Sequence, residues 1–310
     1  MRILRSIPEL AEIPGPIFLA IGVFDGVHLG HQAVILTAAH HAADAGGTAV
    51  VVTFDPHPMK ILRPQASPRL ITATQHKIAL IRDLGVSHLL VIKFDREFAA
   101  TPPADFVKQL VSAAHPLREI CVGQEWSFGK DRAGNLALLK TMGAELGFNV
   151  VGVEPVTSRG VTISSTAIRK AVKAGDFATV KQMLGRDYTI LGTVEEGKHL
   201  GRSLGFPTAN LSAHSEQFPP NGVYAAEGIL QGEKVYGVVN LGVRPTIDND
   251  SPQRVLEFHL FDFDRDLYGE DVELRFLRYL RPERKFESLA ALREQIARDV
   301  VDARQVFAAS

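Results

Sequence analysis

The amino-acid sequence predicts an α/β chain in two domains. A doubly wound parallel-sheet domain is expected over residues 1–186, and a small antiparallel β-barrel with a C-terminal helix over residues 187–310. Three observations carry this expectation. The chain has 310 residues, beyond the length at which a single core usually stops growing. As far as about residue 155, short β-rich apolar runs alternate with longer helical patterns, the grammar of βαβ units. After Arg186 the pattern changes to short alternating segments punctuated by Gly and Pro, which suits a small barrel or sandwich.

In the first half the expected strands are Ile17 to Phe24, Thr48 to Phe54, His88 to Ile92, Glu119 to Val122 and Asn149 to Val153. Helical patterns over 29–45, 74–84, 103–114 and 134–147 are long enough for crossovers between parallel strands. Ligands of such sheets sit beyond the carboxyl ends of the strands. The segments that follow strands here are Asp25 to His31, Asp55-Pro56-His57-Pro58 and Gly123 to Gly129, so the three loops are expected on one rim.

In the second half, strands are expected over Tyr188 to Val194, Gly222 to Leu230, Lys234 to Leu241, Val255 to Phe263 and Val272 to Leu280. Gln231-Gly232-Glu233 suits a hairpin connection, and Tyr268-Gly269 breaks the chain before the last strand. Ser288 is the expected N-cap of a final helix that carries Leu289, Leu292, Ile296, Val300, Ala303 and Phe307 on one face. That face is expected to pack on the barrel.

Composition narrows the function classes. Hydrophobic residues at 45% and charged residues at 22% provide for proper cores and argue against disorder. A net charge of −1 leaves no overall basic field, so neither nucleic acid nor a membrane is an expected partner. The single cysteine, Cys121, rules out an internal disulfide framework and is expected as a packed thiol. With no cleavable signal and no long apolar span, a cytoplasmic location is expected. G-x-G-x-x-G and Walker-type loops are both missing, which weakens dinucleotide-oxidoreductase and P-loop readings.

The most informative stretch is Phe24-Asp25-Gly26-Val27-His28-Leu29-Gly30-His31, where a strand gives way to a helix. Residues at i and i+3 share a helix face. His28 and His31 therefore face one way, beside the unpaired N–H groups and positive dipole end of a helix N-terminus. Such a site suits a triphosphate attacked at its α-phosphate, because donors fixed there stabilise the charge that builds up in the transition state. Zinc binding and a purely structural pair are the alternatives, but zinc ligands on helices are usually at i and i+4 with further partners. A second anion clamp is expected at Thr162-Ile163-Ser164-Ser165-Thr166-Ala167-Ile168-Arg169, where hydroxyls and N–H groups open a helix and Arg169 lies one turn in.

Together, Gly22 to His31 and Ile163 to Arg169 resemble the HxGH nucleotidylyltransferases. Further motifs narrow the resemblance to the bacterial bifunctional riboflavin kinase/FAD synthetases. They are Thr53 to Pro58, Leu184-Gly185-Arg186, Gly201 to Asn210 (ending Phe206-Pro207-Thr208-Ala209-Asn210), Asn221 to Tyr224, Asn240 to Thr246, Asp266 to Gly269 and Phe286 to Leu289. The resemblance covers nearly the whole chain from about residue 15. It implies that the first domain adenylylates FMN with MgATP to give FAD and that the second phosphorylates riboflavin to FMN, with ATP, riboflavin, FMN and FAD as substrates or products.

The resemblance also implies roles residue by residue. His28 and His31 contact ATP phosphates, Gly22, Phe24, Asp25 and Gly26 shape the turn beside them, and Ser164, Ser165, Thr166 and Arg169 form the clamp. In the kinase, Glu257 in Leu256-Glu257-Phe258-His259 matches the catalytic base. Thr208 and Asn210 match the Mg²⁺ and phosphate ligands, and Gly201, Arg202 and Gly205 lie in the segment that approaches ATP. His57, Glu125, Trp126 and Phe128 are the candidate flavin contacts of the adenylyltransferase. There the chain departs from the family's Gly-x-Asp/Asn-Phe-x-Phe-Gly. Glu125 keeps an acceptor but adds a methylene, and Trp126 enlarges its position. A kinase-only enzyme and a flavin-binding protein without turnover are the two alternatives to the bifunctional reading.

Overall fold

Strands covered on both faces read as unbroken apolar runs, and Ile17–Ile21 is buried at all five positions. The first unit of the computed structural model is organised around this strand. Its strands are β1 (Arg2–Leu4), β2 (Ile17–Ile21), β3 (Thr48–Asp55), β4 (His88–Lys93), β5 (Leu117–Gly123), the short pair β6 (Ser127–Phe128) and β7 (Gly134–Asn135), then β8 (Asn149–Val153) and the short pair β9 (Thr157–Ser158) and β10 (Val161–Thr162). A six-stranded sheet runs in the order β1-β4-β3-β2-β5-β8, parallel throughout. Its helices are α1 (Leu29–Asp44), α2 (Pro58–Leu62), α3 (Thr74–Asp83), α4 (Arg96–Ala99), α5 (Pro103–Ala113) and α6 (Leu136–Leu146). The structure describes residues 1–196, 206–214, 217–244, 253–263 and 265–308.

Alternate residues of each strand feed two separate cores. Leu19, Ile21, Val50, Val52 and Ile120 pack with Phe106, Leu110 and Leu139 of α5 and α6, while Ala20, Val51, Leu89 and Cys121 pack with Val34, Ile35 and Ala38 of α1. This is the doubly wound arrangement expected from the alternation of runs. The chain winds outward from β2 through β3 to β4 and returns to β5 on the other side, so the strand order reverses at β2. The crevice beyond the carboxyl ends of β2 and β5 is therefore the ligand-binding switch point of the fold.

Two local readings are corrected. Strand β2 ends at Ile21, not Phe24, because Phe24 takes a left-handed φ of 53° and turns its buried ring back into the core. The edge strand β1 has three residues, too few for any periodicity to register.

The chain divides into two compact units, one of residues 1–168 with 182–185 and the other of 169–181 with 186–310. The division falls within α7 (Ser165–Ala174) and α8 (Phe177–Leu184). Residues 169–181 belong to the second unit because Phe177 stacks on Tyr188 and Phe276 at 6.5 and 5.9 Å.

The second unit is a closed antiparallel barrel, which decides between the barrel and sandwich readings. Its strands are β11 (Thr189–Glu195), β12 (Ala209–Ala213), β13 (Gly222–Leu230), β14 (Glu233–Arg244), β15 (Gln253–Leu260) and β16 (Asp271–Arg281), in the order β11-β12-β15-β14-β13-β16. Closure removes the exposed edges of an open sheet. Gln231 and Gly232, with φ of 51° and 87°, make the two-residue turn between β13 and β14.

The final helix, α9 (Leu289–Ala308), is capped by Ser288, whose Oγ accepts from the Ala291 N–H at 3.1 Å. Of its expected apolar face, Ala303 is buried and Leu292, Ile296, Val300 and Phe307 are half-buried, whereas Leu289 is 68% exposed. Asp299 is buried on the helix instead. Arg281 holds it in a fork, Nε donating to Oδ1 at 2.8 Å and Nη2 to Oδ2 at 2.7 Å. Apolar periodicity could not reveal that position. Among the described residues no helix is long and apolar enough to cross a membrane.

Candidate active sites

At the end of β2 the chain reverses in a tight turn in which the Val27 N–H donates to the Phe24 carbonyl at 3.1 Å. Gly26, at φ 88°, supplies a conformation that a side chain would strain. The buried Asp25 carboxylate accepts from the Ile71 and Thr72 N–H groups at 3.0 and 3.1 Å, and the Gly26 N–H donates to Thr72 Oγ1 at 3.0 Å. Asp25 thus acts as a strut for the turn.

The turn delivers His28 as the N-cap of α1, its Nδ1 accepting from the His31 N–H at 3.3 Å. The two imidazoles stack with centroids 3.5 Å apart and planes 19° apart, and His31 meets the edge of Phe24 at 5.4 Å. His28 therefore lies just outside the helix whose face it was expected to share, and stacking brings the rings together. An accepting Nδ1 leaves the ring proton of a neutral His28 on Nε2. Gly30 makes this packing feasible. A Cβ there would lie 3.2 Å from the His28 ring and 3.8 Å from the Ile163 carbonyl.

The second segment is tied to the same turn. Ser164 caps α7, its Oγ accepting from the Ala167 N–H at 3.2 Å, and Ser165 Oγ donates to the Asp25 carbonyl at 2.9 Å. Ser165 thereby joins the two segments, while Thr166 is exposed on the first turn. Arg169, one turn further on, falls in the part of α7 that belongs to the second unit.

Beneath the turn lies Lys77, which the sequence reading missed. Its buried ammonium donates to the Val23 carbonyl, Thr53 Oγ1 and the Phe54 carbonyl at 3.1, 3.0 and 3.2 Å, clamping together the ends of β2 and β3. Burial pulls its pKa down to about 8, against the opposing pull of Asp25 and Asp55. A lone lysine in a helical pattern reads as surface, so nothing local could have marked it.

His57, Glu125, Trp126 and Phe128 all line one cavity of about 660 Å³. Its walls include Val23, Phe54, Phe94, Phe98 and Phe106, with Arg63 and Arg132 among the polar residues. Trp126 and Phe128 stack at 4.5 Å with planes 13° apart, and His57 caps α2 by accepting from the Met59 N–H at 3.1 Å. The cavity has the apolar walls and sparse polar groups of a site for a flat aromatic ligand.

In the second unit, antiparallel register builds the candidate site. Asn210 on β12 pairs directly with Glu257 on β15, and Glu257 pairs on its other side with Asn240 on β14. Directly opposed residues project to the same face with Cβ atoms about 5 Å apart. Leu256 and Phe258 are buried, so the half-buried Glu257 projects to the opposite face of β15. His259 Nδ1 lies 2.8 Å from the Pro207 carbonyl and the Phe206 ring meets its imidazole edge-on at 5.3 Å, which secures the strap carrying Thr208. Burial lowers the His259 pKa, and the neutral ring donates its Nδ1–H to Pro207. Sequence reasoning passed over His259, although the motif around Glu257 contains it. Gly201, Arg202 and Gly205 lie outside the described residues.

A ligand crevice at a parallel-sheet switch point and a barrel carrying an acid–amide pair describe a transferase with two separate centres. The comparisons with known proteins agree. The FAD synthetase family model matches residues 11–167 and the riboflavin kinase model residues 184–307. The bifunctional riboflavin kinase/FMN adenylyltransferase of Escherichia coli K12 is 36% identical, the match covering 99% of this chain and 98% of the relative. That of Bacillus subtilis is 38% identical, with coverages of 93% and 92%. A solved structure from Streptococcus pneumoniae, described as a macrolide-efflux protein, shares the fold with a TM-score of 0.78 and 28% identity over 96% of both chains. The chain belongs to the bifunctional riboflavin kinase/FMN adenylyltransferase family. It is an enzyme of flavin cofactor biosynthesis that converts riboflavin to FMN and FMN to FAD, with ATP as the second substrate.

Proposed function

We propose that residues 1–186 carry the adenylyltransferase and residues 187–310 the kinase, each with the residues named above. In the adenylyltransferase, a phosphate oxygen of FMN attacks the α-phosphorus of ATP, the new P–O bond forms and the bond to the leaving pyrophosphate breaks. FMN brings its own anionic nucleophile, so no strong base is needed, and the work of the site is alignment and charge stabilisation. His28 and His31 donate to the α-phosphate oxygens, and Ser164, Thr166 and Arg169 hold the departing phosphates. The flavin ring lies in the aromatic cavity against Trp126 and Phe128, with His57 and Glu125 as its polar contacts. The intact stack and open cavity favour retention of this activity over the kinase-only alternative.

In the kinase, Glu257 accepts the proton of the ribityl hydroxyl as its oxygen bonds to the γ-phosphorus and ADP departs. Thr208 and Asn210 offer hard oxygen donors that fit Mg²⁺. Bound Mg²⁺ neutralises phosphate charge. The observation that carries the reading is the direct pairing of Asn210 with Glu257, which sets the proposed base beside a proposed phosphate ligand. The substrates are free small molecules, we place the enzyme in the cytoplasm, and the near-neutral net charge gives no overall basic field for nucleic acid or an anionic membrane.

Chromatography of products tests the reading. Purified protein given ATP, Mg²⁺ and riboflavin should yield FMN and then FAD, and FMN supplied directly should yield FAD; both reactions should stop on chelation. FMN without FAD would select the kinase alone. Bound flavin without any product would select a binding protein.

A further inference from the structure

Away from the candidate adenylyltransferase site, the first unit holds a cluster of different chemistry. Glu119 and Cys121 alternate on β5, so both project to the sheet face that α1 covers, where His41 near the end of α1 meets them. The His41 Nδ1 lies 2.6 Å from Glu119 Oε1, and the Cys121 thiol donates to the same oxygen at 3.3 Å. All three donor atoms lie within 4.8 Å of one another. Glu119 is 6% exposed and Cys121 0%, so a carboxylate and a thiol occupy a layer that is otherwise apolar. The His41 side chain is 44% exposed and opens the cluster to solvent. Ten residues of α1 separate His41 from His31, roughly 15 Å at the helical rise.

We propose that His41, Glu119 and Cys121 form a binding site for a divalent transition-metal cation of the zinc class. Imidazole nitrogen, thiolate sulfur and carboxylate oxygen are the donor set of such an ion, and its tetrahedral sites hold donors roughly 3.3–3.7 Å apart. Small side-chain adjustments bring the cluster to that spacing. When the ion enters, the S–H bond of Cys121 breaks, the S–metal bond forms and the proton leaves to solvent. The His41 ring passes to its other neutral tautomer, Nδ1 giving up to solvent the proton it shares with Glu119 and Nε2 holding one on the exposed side, so that Nδ1 and an oxygen of Glu119 each offer a lone pair in place of their present hydrogen bond. Water takes the fourth position on the exposed His41 side. A thiolate ligand selects against hard Mg²⁺, so this ion is distinct from the cation of the kinase.

Co²⁺ is the probe, because a thiolate bound to Co²⁺ absorbs in the near ultraviolet and Cys121 is the only cysteine of the chain. Metal-free, reduced full-length protein titrated with Co²⁺ should develop this band to saturation at one ion per chain. Zn²⁺ should abolish the band and excess Mg²⁺ should leave it. Cys121→Ser should lack the band and keep both enzyme activities, while His41→Ala and Glu119→Gln should weaken Co²⁺ binding at least tenfold. Absence of the band in the wild-type protein at saturating Co²⁺ would overturn the proposal whatever the variants do. A band of unchanged affinity in His41→Ala and Glu119→Gln would also overturn it, leaving a hydrogen-bonded trio with a thiol that takes up metal alone.

Discussion

The two candidate centres place chemistry in opposite ways. In the first unit the proposed phosphate contacts gather at helix N-termini beyond the sheet, His28 and His31 delivered together by one turn and the Ser164 segment tied to that turn from far along the chain. In the second, Asn210 and Glu257 lie far apart in sequence and meet on the barrel wall, because two antiparallel strands pair in one register. The demands of the reactions run in parallel with this difference. Attack by an anionic phosphate requires donors gathered around a polyanion, which helix N-termini and cap residues supply together. Attack by a neutral hydroxyl requires a base held at a defined point, and a paired strand holds a carboxylate more rigidly than a loop does.

Separate removal of the two centres is the strongest way to break this comparison. Glu257→Ala should lower FMN formation from riboflavin by about 10²–10⁴-fold and leave FAD formation from supplied FMN intact, as measured by single-reaction kinetics. The double change His28→Ala with His31→Ala should do the reverse, lowering FAD formation by roughly 10²–10³-fold at unchanged kinase rate. Loss of both activities in either variant would contradict two independent centres.

Smaller changes sharpen the account of the first centre. Gly30→Ala inserts a methyl 3.2 Å from the His28 ring and should disturb the imidazole stack, lowering kcat for FAD formation about tenfold while the fold persists by circular dichroism. Trp126→Ala removes one face of the cavity stack and should raise KM for FMN roughly tenfold with little change in KM for ATP.

The mildest test concerns Lys77, which releases its proton at about pH 8 when folded and near its ordinary 10.5 when unfolded. Between those values the unfolded chain holds more protons, so the contribution of Lys77 to stability should rise with pH across that window. Chemical denaturation of wild type and Lys77→Met should show the difference between them growing in favour of wild type from pH 8 towards 10.5. A constant difference would place the ammonium in contact with water.

What was legible from the sequence follows from the range over which each feature is encoded. The helix at 29–44, the Ser288 cap and the Gln231-Gly232 turn depend on backbone preferences spanning a few residues, and each could be read in place. Cys121 was expected as a packed thiol because it ends a short apolar run, and it is buried. Resemblance to a family singled out Glu257, which by itself looks like an ordinary strand acid.

The order and composition of the chain determined two modules, most of their strand and helix runs, and the two short motifs proposed to address phosphate. Tertiary structure alone decided that His28 would cap the helix and stack on His31, that Lys77 would be buried beneath the turn, that Asp299 would turn inward to Arg281, and that Asn210 would stand opposite Glu257. Each of these depends on a neighbour brought close by packing or register, whose identity and distance no local preference can specify.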